Sequence, residues 1–166
     1  VSFRYAPWEV IFDTNGGSEA PAAQTVERGE TATEPNAPTR AGYNFLGWFA
    51  EEETEVYNFE TPVTGNLKLT AKWERITYQV VFDTDGGSAA PEAQIVGEGD
   101  KAEEPTDPTK DGYAFDGWFA EGATQAYDFE TPVSGNLSLT AKWTAVYTVT
   151  FDTDGGNEAP AAQTVR

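Results

Sequence analysis

The chain has 166 residues, of which 39% are hydrophobic and 13% aromatic, so it is long enough to bury the core of one ordinary domain or two small ones. Its 28 acidic residues against 10 basic ones give a formal net charge of −18, which argues against nucleic acid and anionic membrane surfaces as partners. Cysteine and histidine are both absent, which excludes disulfides and thiolate metal sites and removes the commonest general base.

The first predicted element is a strand that leads into the hexapeptide FDTNGG. Trp8, Val10 and Phe12 alternate with other residues, which predicts one buried face. Asn-Gly after such a strand predicts a turn, because the loop needs a positive φ that Gly, Asn and Asp tolerate best. Weak calcium binding is the alternative, and in the second hexapeptide it falls on Asp83 and Asp85. A phosphate-binding loop is disfavoured, because neither a helix opening nor a lysine follows the paired glycines.

A short strand and a proline-containing connection come next. The strand is predicted at QTV, from Gln24. The connection contains PNAPTR from Pro35, and PTDPTK from Pro105 in the second copy, which both match the proline-x-x-proline-x-basic pattern of polyproline II ligands. We interpret the two segments as stiff connections between strands, because the motif recurs at one structural position in each copy.

The third predicted strand, GYNFLGWF, leaves two interpretations of its tryptophan open. Strict alternation puts Tyr43, Phe45 and Phe49 on one face and Asn44, Leu46 and Trp48 on the other. Trp48 and its counterpart Trp118 are therefore expected either to cap a second small cluster or to be exposed as a binding surface. After this strand, FETPV from Phe59 is the one segment that fits a turn of helix.

The last predicted strand is NLKLTAKW. Its inward residues are Leu67, Leu69, Ala71 and Trp73, and its outward residues are Lys68, Thr70 and Lys72. Lys68 becomes Ser138 in the second copy, as expected for a position outside the core. Trp73 and Trp143 are accordingly predicted to be core residues rather than sugar-stacking platforms.

These elements form a repeat that recurs 70 positions later without a gap, so Phe12, Trp48 and Trp73 return as Phe82, Trp118 and Trp143. A third copy opens at Thr148, and Val1 to Phe3 are similar to the end of an earlier one, so we expect a window from a longer array. The predicted boundaries are 1–8 for the tail of a preceding repeat plus linker, 9–73 for repeat 1, 74–78 for a linker, 79–143 for repeat 2, 144–147 for a linker and 148–166 for a truncated third repeat.

The ordered series FDTDGG, PEAQIV, PTDPTKDGYAFDGWF, YDFETPV and LTAKW resembles the internalin B-repeat, or Listeria-Bacteroides repeat, of bacterial surface and secreted proteins. The resemblance implies a mostly β fold (α+β at most) of tandem small β-grasp-like, ubiquitin-like domains, each with a four-stranded sheet whose first and last strands are parallel. The residues themselves predict little or no helix, because the segment from Lys101 to Gly112, where a β-grasp places its helix, contains Pro105, Pro108 and Gly112. We expect at most a short helical turn there.

The function expected from these features is a non-enzymatic structural or spacer module, a stalk, of an extracellular bacterial protein at the cell surface or secreted. The alternative is a protein-binding or adhesion module that uses an exposed sheet edge or the surface of Trp48 and Trp118. Partners would be host or bacterial surface proteins, or neighbouring copies joined through sheet edges. We predict no catalytic, cofactor-binding or metal-binding residues, no nucleic acid partner and no membrane insertion. The joints ERITYQ and TAVYT contain neither Gly nor Pro, which predicts stiff connections between copies that line up end to end.

Overall fold

The computed structural model describes residues 5–166, which form ten strands and no helix. The chain divides into two compact units, Val1–Ile76 and Thr77–Arg166. The tail of a preceding repeat that we predicted at Val1 to Phe3 lies outside the described residues. The strands are β1 Trp8–Asp13, β2 Gln24–Val26, β3 Tyr43–Ala50, β4 Leu67–Arg75, β5 Thr77–Asp83, β6 Gln94–Gly97, β7 Tyr113–Ala120, β8 Leu137–Ala145, β9 Tyr147–Val149 and β10 Gln163–Val165.

Each unit contains a four-stranded mixed sheet. In the first unit the strand order is β2-β1-β4-β3, and in the second it is β6-β5-β8-β7. The first and last strands of each repeat are parallel neighbours in the middle of the sheet, whereas the outer strands are antiparallel to them. The mostly β fold with tandem four-stranded sheets is therefore confirmed, and this topology is compatible with a β-grasp sheet.

The core lies on one face of each sheet, as the period-two pattern predicted for the first and last strands. Val10 and Phe12 of β1 pack with Leu69 and Ala71 of β4, and Trp73 packs at their margin. The connecting loops close the core, contributing Ala32 and Val63 in repeat 1 and Ala102 and Val133 in repeat 2. The same side chains recur in repeat 2, because the two copies align without a gap.

The face predicted for Trp48 is wrong, and a β-bulge is the reason. The pairing of β3 with β4 shifts between Phe45 and Gly47, so that Leu46 is an extra residue opposite the last strand. One extra residue reverses the alternation, which returns Trp48 to the same side as Phe45. The bulge is repeated in β7, where the pairing shifts between Phe115 and Gly117.

The proline-containing connections are irregular, as expected. Residues 102–110 have no helix or strand, and the PTDP segment lies within them. The FETPV segment forms a hydrogen-bonded turn rather than a helix, with the Thr61 N–H donating to the Asn58 carbonyl over 3.0 Å. The irregular connection was predicted from proline placement, whereas the turn of helix for which FETPV was the one candidate is not formed.

Strands extend into the segments that we predicted as linkers. Ile76 is the single residue between β4 and β5, and Val146 is the single residue between β8 and β9. The Ile76 N–H donates to the Gly42 carbonyl and the Val146 N–H to the Gly112 carbonyl, each over 2.9 Å.

The start of the third copy forms a two-stranded hairpin, in which β9 pairs with β10. Its apolar residues remain largely exposed, including Tyr147, Val149, Phe151 and Val165. An isolated hairpin of this kind has marginal stability in water, because it has no further strands against which to bury these side chains.

Candidate functional site

The hexapeptide FDTDGG, the first candidate site, is a turn. Asp85 and Gly86 have φ angles of 48° and 79°, the positive values at both central positions that characterise a type I′ turn. The Gly87 N–H donates to the Thr84 carbonyl over 3.0 Å and closes the turn. The turn predicted at this motif is therefore confirmed, and the same φ pattern recurs at Asn15 with Gly16 and at Asp154 with Gly155.

The second glycine of the pair makes room for the last tryptophan of the repeat. A Cβ atom on Gly87 would lie 2.6 Å from Cζ2 of Trp143, and one on Gly17 would lie 2.5 Å from Cζ2 of Trp73. The Trp143 indole Nε1 donates to the Thr84 carbonyl over 2.9 Å, and the Trp73 indole donates to Thr14 over 3.0 Å. The motifs FDTDGG and LTAKW thus form one contact within each repeat, and their role is structural.

The carboxylate of Asp83 accepts a hydrogen bond within the turn. The Asp85 N–H donates to Oδ1 of Asp83 over 2.9 Å, which occupies one of the oxygens that a cation would need. Among residues 5–166, no group of three or more acidic side chains is arranged to hold a metal ion. Weak calcium binding at Asp83 and Asp85 stays a hypothesis.

One charged pair in repeat 1 crosses the outer face of the sheet. The Lys68 ammonium lies 2.8 Å from Oδ2 of Asp13, and both side chains are about half exposed. The hydrogen bond from Lys68, together with one from the Asn15 N–H, lowers the pKa of the Asp13 carboxyl, and the same contact raises the pKa of Lys68. Repeat 2 has Asp83 but Ser138 in place of the lysine, so this ion pair is specific to repeat 1.

The two tryptophans of the third strand are buried, which corrects the alternative that they form a binding surface. Trp48 and Trp118 are each 1% exposed. Trp48 makes edge-to-face contacts with Phe12 and Phe45, at ring centroid distances of 5.0 and 5.6 Å. The bulge described above brings each ring into the main core, so neither is available to a partner.

The proline-x-x-proline-x-basic segments are occupied by their own repeat. Pro38 and Pro108, the second prolines of the motif, are buried. The Lys110 ammonium donates to the Asp85 carbonyl over 2.7 Å and lies 4.9 Å from the centre of the Tyr113 ring. Arg40 makes the corresponding contacts in repeat 1 with Asn15 and Tyr43. The basic residue of the motif therefore holds the hexapeptide turn of its own repeat, which favours a connection between strands over a ligand for another protein.

Parts of both sheet edges are engaged within the repeat. On the β3 edge, the Tyr57 N–H donates to the Trp48 carbonyl over 2.7 Å. Beside the β2 edge, the Gln24 side chain accepts a hydrogen bond from the Thr33 N–H and donates one to its carbonyl. Bulges, short strands and edge coverage of this kind reduce pairing with other chains.

Sequence reasoning missed the asparagine before the last strand. Oδ1 of Asn66 accepts a hydrogen bond from the Glu9 N–H over 3.0 Å, and Oδ1 of Asn136 accepts one from the Gln79 N–H over 2.9 Å. The available signal was its retention in both copies, two residues before the position where Lys68 changes to Ser138. No local pattern links it to a strand 57 residues away.

Comparison with known proteins identifies the repeat. The model of the Listeria-Bacteroides repeat domain matches residues 8–72 and 78–142. Two relatives from Evansella cellulosilytica, one named provisionally as a Gly-rich membrane protein and one as a membrane protein, are 42% and 39% identical over 93% and 96% of this chain. Internalin H of Listeria monocytogenes is 34% identical over 82% of the chain. The chain spans 19%, 26% and 25% of these three proteins, respectively. No helix among residues 5–166 is long and apolar enough to cross a membrane.

Proposed function

Because the chain belongs to the Listeria-Bacteroides repeat family, we propose that it is a non-enzymatic spacer, a stalk segment, of an extracellular bacterial surface protein. The family and the similarity to Internalin H support a repeat module of a surface protein. The relatives named as membrane proteins support an association with the cell surface.

The observation that carries the proposal is that the signature residues of the repeat contact their own repeat. The hexapeptide turn receives the indole N–H of Trp143 and the ammonium of Lys110 at adjacent carbonyls. Lys142, in LTAKW, donates to the Ala123 carbonyl over 3.0 Å and lies over the Phe119 ring. The residues that would otherwise be the best candidates for binding or chemistry therefore stabilise the fold of their own repeat.

The alternative, a binding or adhesion module, is reduced to the sheet edges, since the tryptophan surface is buried. Such binding would proceed by strand addition, in which backbone groups of an exposed edge pair with a partner. The engaged edges at β2 and β3 give this alternative less support than the spacer. Host or bacterial surface proteins and neighbouring copies stay its proposed partners.

Solution scattering on a series of chains tests the spacer. Chains with two, three and four complete copies, joined through the native ERITYQ sequence, are measured at low concentration and moderate salt, which screens repulsion within an acidic chain. A spacer predicts that the maximum dimension grows by a constant increment per copy. The matched control inserts a Gly-Ser sequence, which behaves as a flexible coil, at Ile76, the single residue between β4 and β5, so that no strand residue is replaced. Equal distance distributions for the native and Gly-Ser joints would contradict the proposal.

A further inference from the structure

The chain enters and leaves each repeat through two strands that are direct neighbours. β1 and β4 pair in parallel through four consecutive residue pairs, from Val10 with Leu67 to Asp13 with Thr70. β5 and β8 repeat this pairing from Val80 with Leu137 to Asp83 with Thr140. We call each of these pairings the terminal ladder of its repeat.

Side chains extend the terminal ladder beyond both of its ends. In repeat 2, Oδ1 of Asn136 takes the Gln79 N–H, one residue before the first ladder pair. At the other end, the Trp143 indole donates to the Thr84 carbonyl, one residue after the last pair. Repeat 1 has the same two bonds at Asn66 and Trp73.

The direction of the terminal ladder decides how it responds to tension. Because the two strands are parallel, the start of the first strand and the end of the last strand lie at opposite ends of the ladder. Pulling on the two ends of a repeat therefore slides the strands past each other, and all ladder bonds are loaded together. Force passes from one terminal strand to the other without crossing the edge strands, which are not between them.

We propose that each repeat is a tension-bearing unit, in which the terminal ladder and its flanking asparagine and tryptophan bonds resist extension of the chain. This goes beyond the proposed spacer function, because a spacer that only sets distance needs no such resistance. Unfolding under force is governed by the barrier to unfolding rather than by equilibrium stability. The unfolding force is consequently set by the bonds that break first when the ends of the repeat are pulled apart.

The two repeats differ in the bonds that cross the terminal ladder. In repeat 1, Nδ2 of Asn15 donates to the Ala71 carbonyl over 3.3 Å, and Lys68 pairs with Asp13. Repeat 2 has Asp85 and Ser138 at the corresponding positions, which provide neither contact. Repeat 1 is therefore expected to resist more force than repeat 2.

Cysteine handles test the direction of loading within the whole chain, which has no cysteine of its own. Thr77→Cys with Tyr147→Cys brackets repeat 2 and shears its ladder, whereas Thr77→Cys with Ser134→Cys pulls on the same end of both strands and peels them apart. Single-molecule pulling should give a higher unfolding force for the first pair, by about twofold or more, because peeling breaks ladder bonds one at a time. Equal forces for the two pairs would overturn the proposal.

Substitutions at the flanking asparagine separate ladder strength from general stability. Asn136→Ala should unfold about fivefold faster under the shearing force, the rate equivalent of a hydrogen bond of about 1 kcal/mol. Asn136→Asp keeps the acceptor oxygen and should unfold at the original rate. The control Gln94→Ala removes the two hydrogen bonds that the Gln94 side chain makes to Glu103, outside the ladder. Gln94→Ala should lower the equilibrium stability at least as much as Asn136→Ala does, but it should leave the unfolding rate under force unchanged. If Gln94→Ala accelerates unfolding under force as much as Asn136→Ala does, the role of the ladder is refuted.

Transfer between the repeats gives a gain-of-resistance test. Pro7→Cys with Thr77→Cys brackets repeat 1 at positions equivalent to Thr77 and Tyr147 in repeat 2. The unfolding force measured for repeat 1 should be higher than that of repeat 2. Asp85→Asn with Ser138→Lys should raise the force of repeat 2 to that of repeat 1, and no increase would contradict the proposal. The two proposals can fail separately. If the chain passes the scattering test but the two cysteine pairs of repeat 2 unfold at equal force, the spacer proposal stands and the tension-bearing proposal is refuted.

Discussion

The contact between the second glycine of FDTDGG and the last tryptophan of the repeat yields the sharpest stability prediction. In Gly87→Ala the new Cβ would lie 2.6 Å from Cζ2 of Trp143, 3.1 Å from the Thr109 carbonyl oxygen and 3.2 Å from that of Thr84. Two of these neighbours are backbone atoms that cannot rotate away, and the indole is held by its own hydrogen bond to Thr84. Overpacking of this kind costs about 1–3 kcal/mol of folding free energy.

A double-mutant cycle isolates this contact. Trp143→Phe removes the Cζ2 atom and the indole N–H, so it is destabilising by itself. Combined with Gly87→Ala, however, it should remove the collision, and the double variant should lose less stability than the sum of the single losses, with a coupling of about 1–2 kcal/mol. Gly135→Ala is the control within repeat 2, because a Cβ there meets no atom within 4 Å.

Urea unfolding followed by two-dimensional amide NMR reads repeats 1 and 2 separately. Gly87→Ala should lower the unfolding midpoint of repeat 2 and leave that of repeat 1 unchanged, and Gly135→Ala should leave both near their original values. Additive losses in the double-mutant cycle, or a loss for Gly87→Ala no larger than for Gly135→Ala, would refute the proposed packing of the two motifs.

Three further predictions concern the hexapeptide and its charged neighbours. Asn15→Asp should destabilise repeat 1 by about 0.5–1 kcal/mol through loss of the Ala71 bond, and Asp85→Asn should stabilise repeat 2 by a similar amount; opposite signs in urea unfolding would show that this bond does not form. The pKa of Asp13 is lowered in the folded state, so its pairing with Lys68 contributes stability above the ordinary pKa of 3.8 and loses it as the pH falls through the lowered value. The stability difference between the native chain and Lys68→Ser, measured against pH, should therefore be positive near neutrality and vanish in acid; a difference independent of pH would contradict the ion pair. Millimolar calcium should shift the melting temperature no more than matched magnesium does, and a larger calcium shift that Asp83→Asn with Asp85→Asn abolishes would establish a site.

Much of the fold was predictable because the strands of each repeat follow local alternation. The buried faces of β1 and β4 follow directly from the positions of Val10, Phe12, Leu69 and Ala71. The Asn-Gly and Asp-Gly dipeptides predicted the turns, since the requirement for positive φ is local. Copy-to-copy differences such as Lys68 to Ser138 marked the outer face correctly.

The errors and omissions came from features that alternation cannot encode. A bulge adds one residue to β3, and a period-two pattern extended across Gly47 therefore places Trp48 on the wrong face. The contact of Trp73 with Thr14 joins residues 59 positions apart, so neither motif alone indicates it. The role of Asn66 was missed for the same reason, because its partner strand lies at the opposite end of the repeat.

The most direct test of the spacer proposal compares the effect of changing the number of repeats with the effect of changing the residues on their surface. The two repeats share a core but differ outside it, as at Leu46 and Asp116 or Lys68 and Ser138. The chain is placed between a cell-wall anchor and an epitope tag on a bacterial surface, and the height of the tag is measured by super-resolution microscopy. Replacing repeat 1 with a second copy of repeat 2 should leave the height unchanged, whereas adding a copy should raise it by a constant step. A height that changes with the exchange of repeats, or that stays the same when a copy is added, would contradict the account.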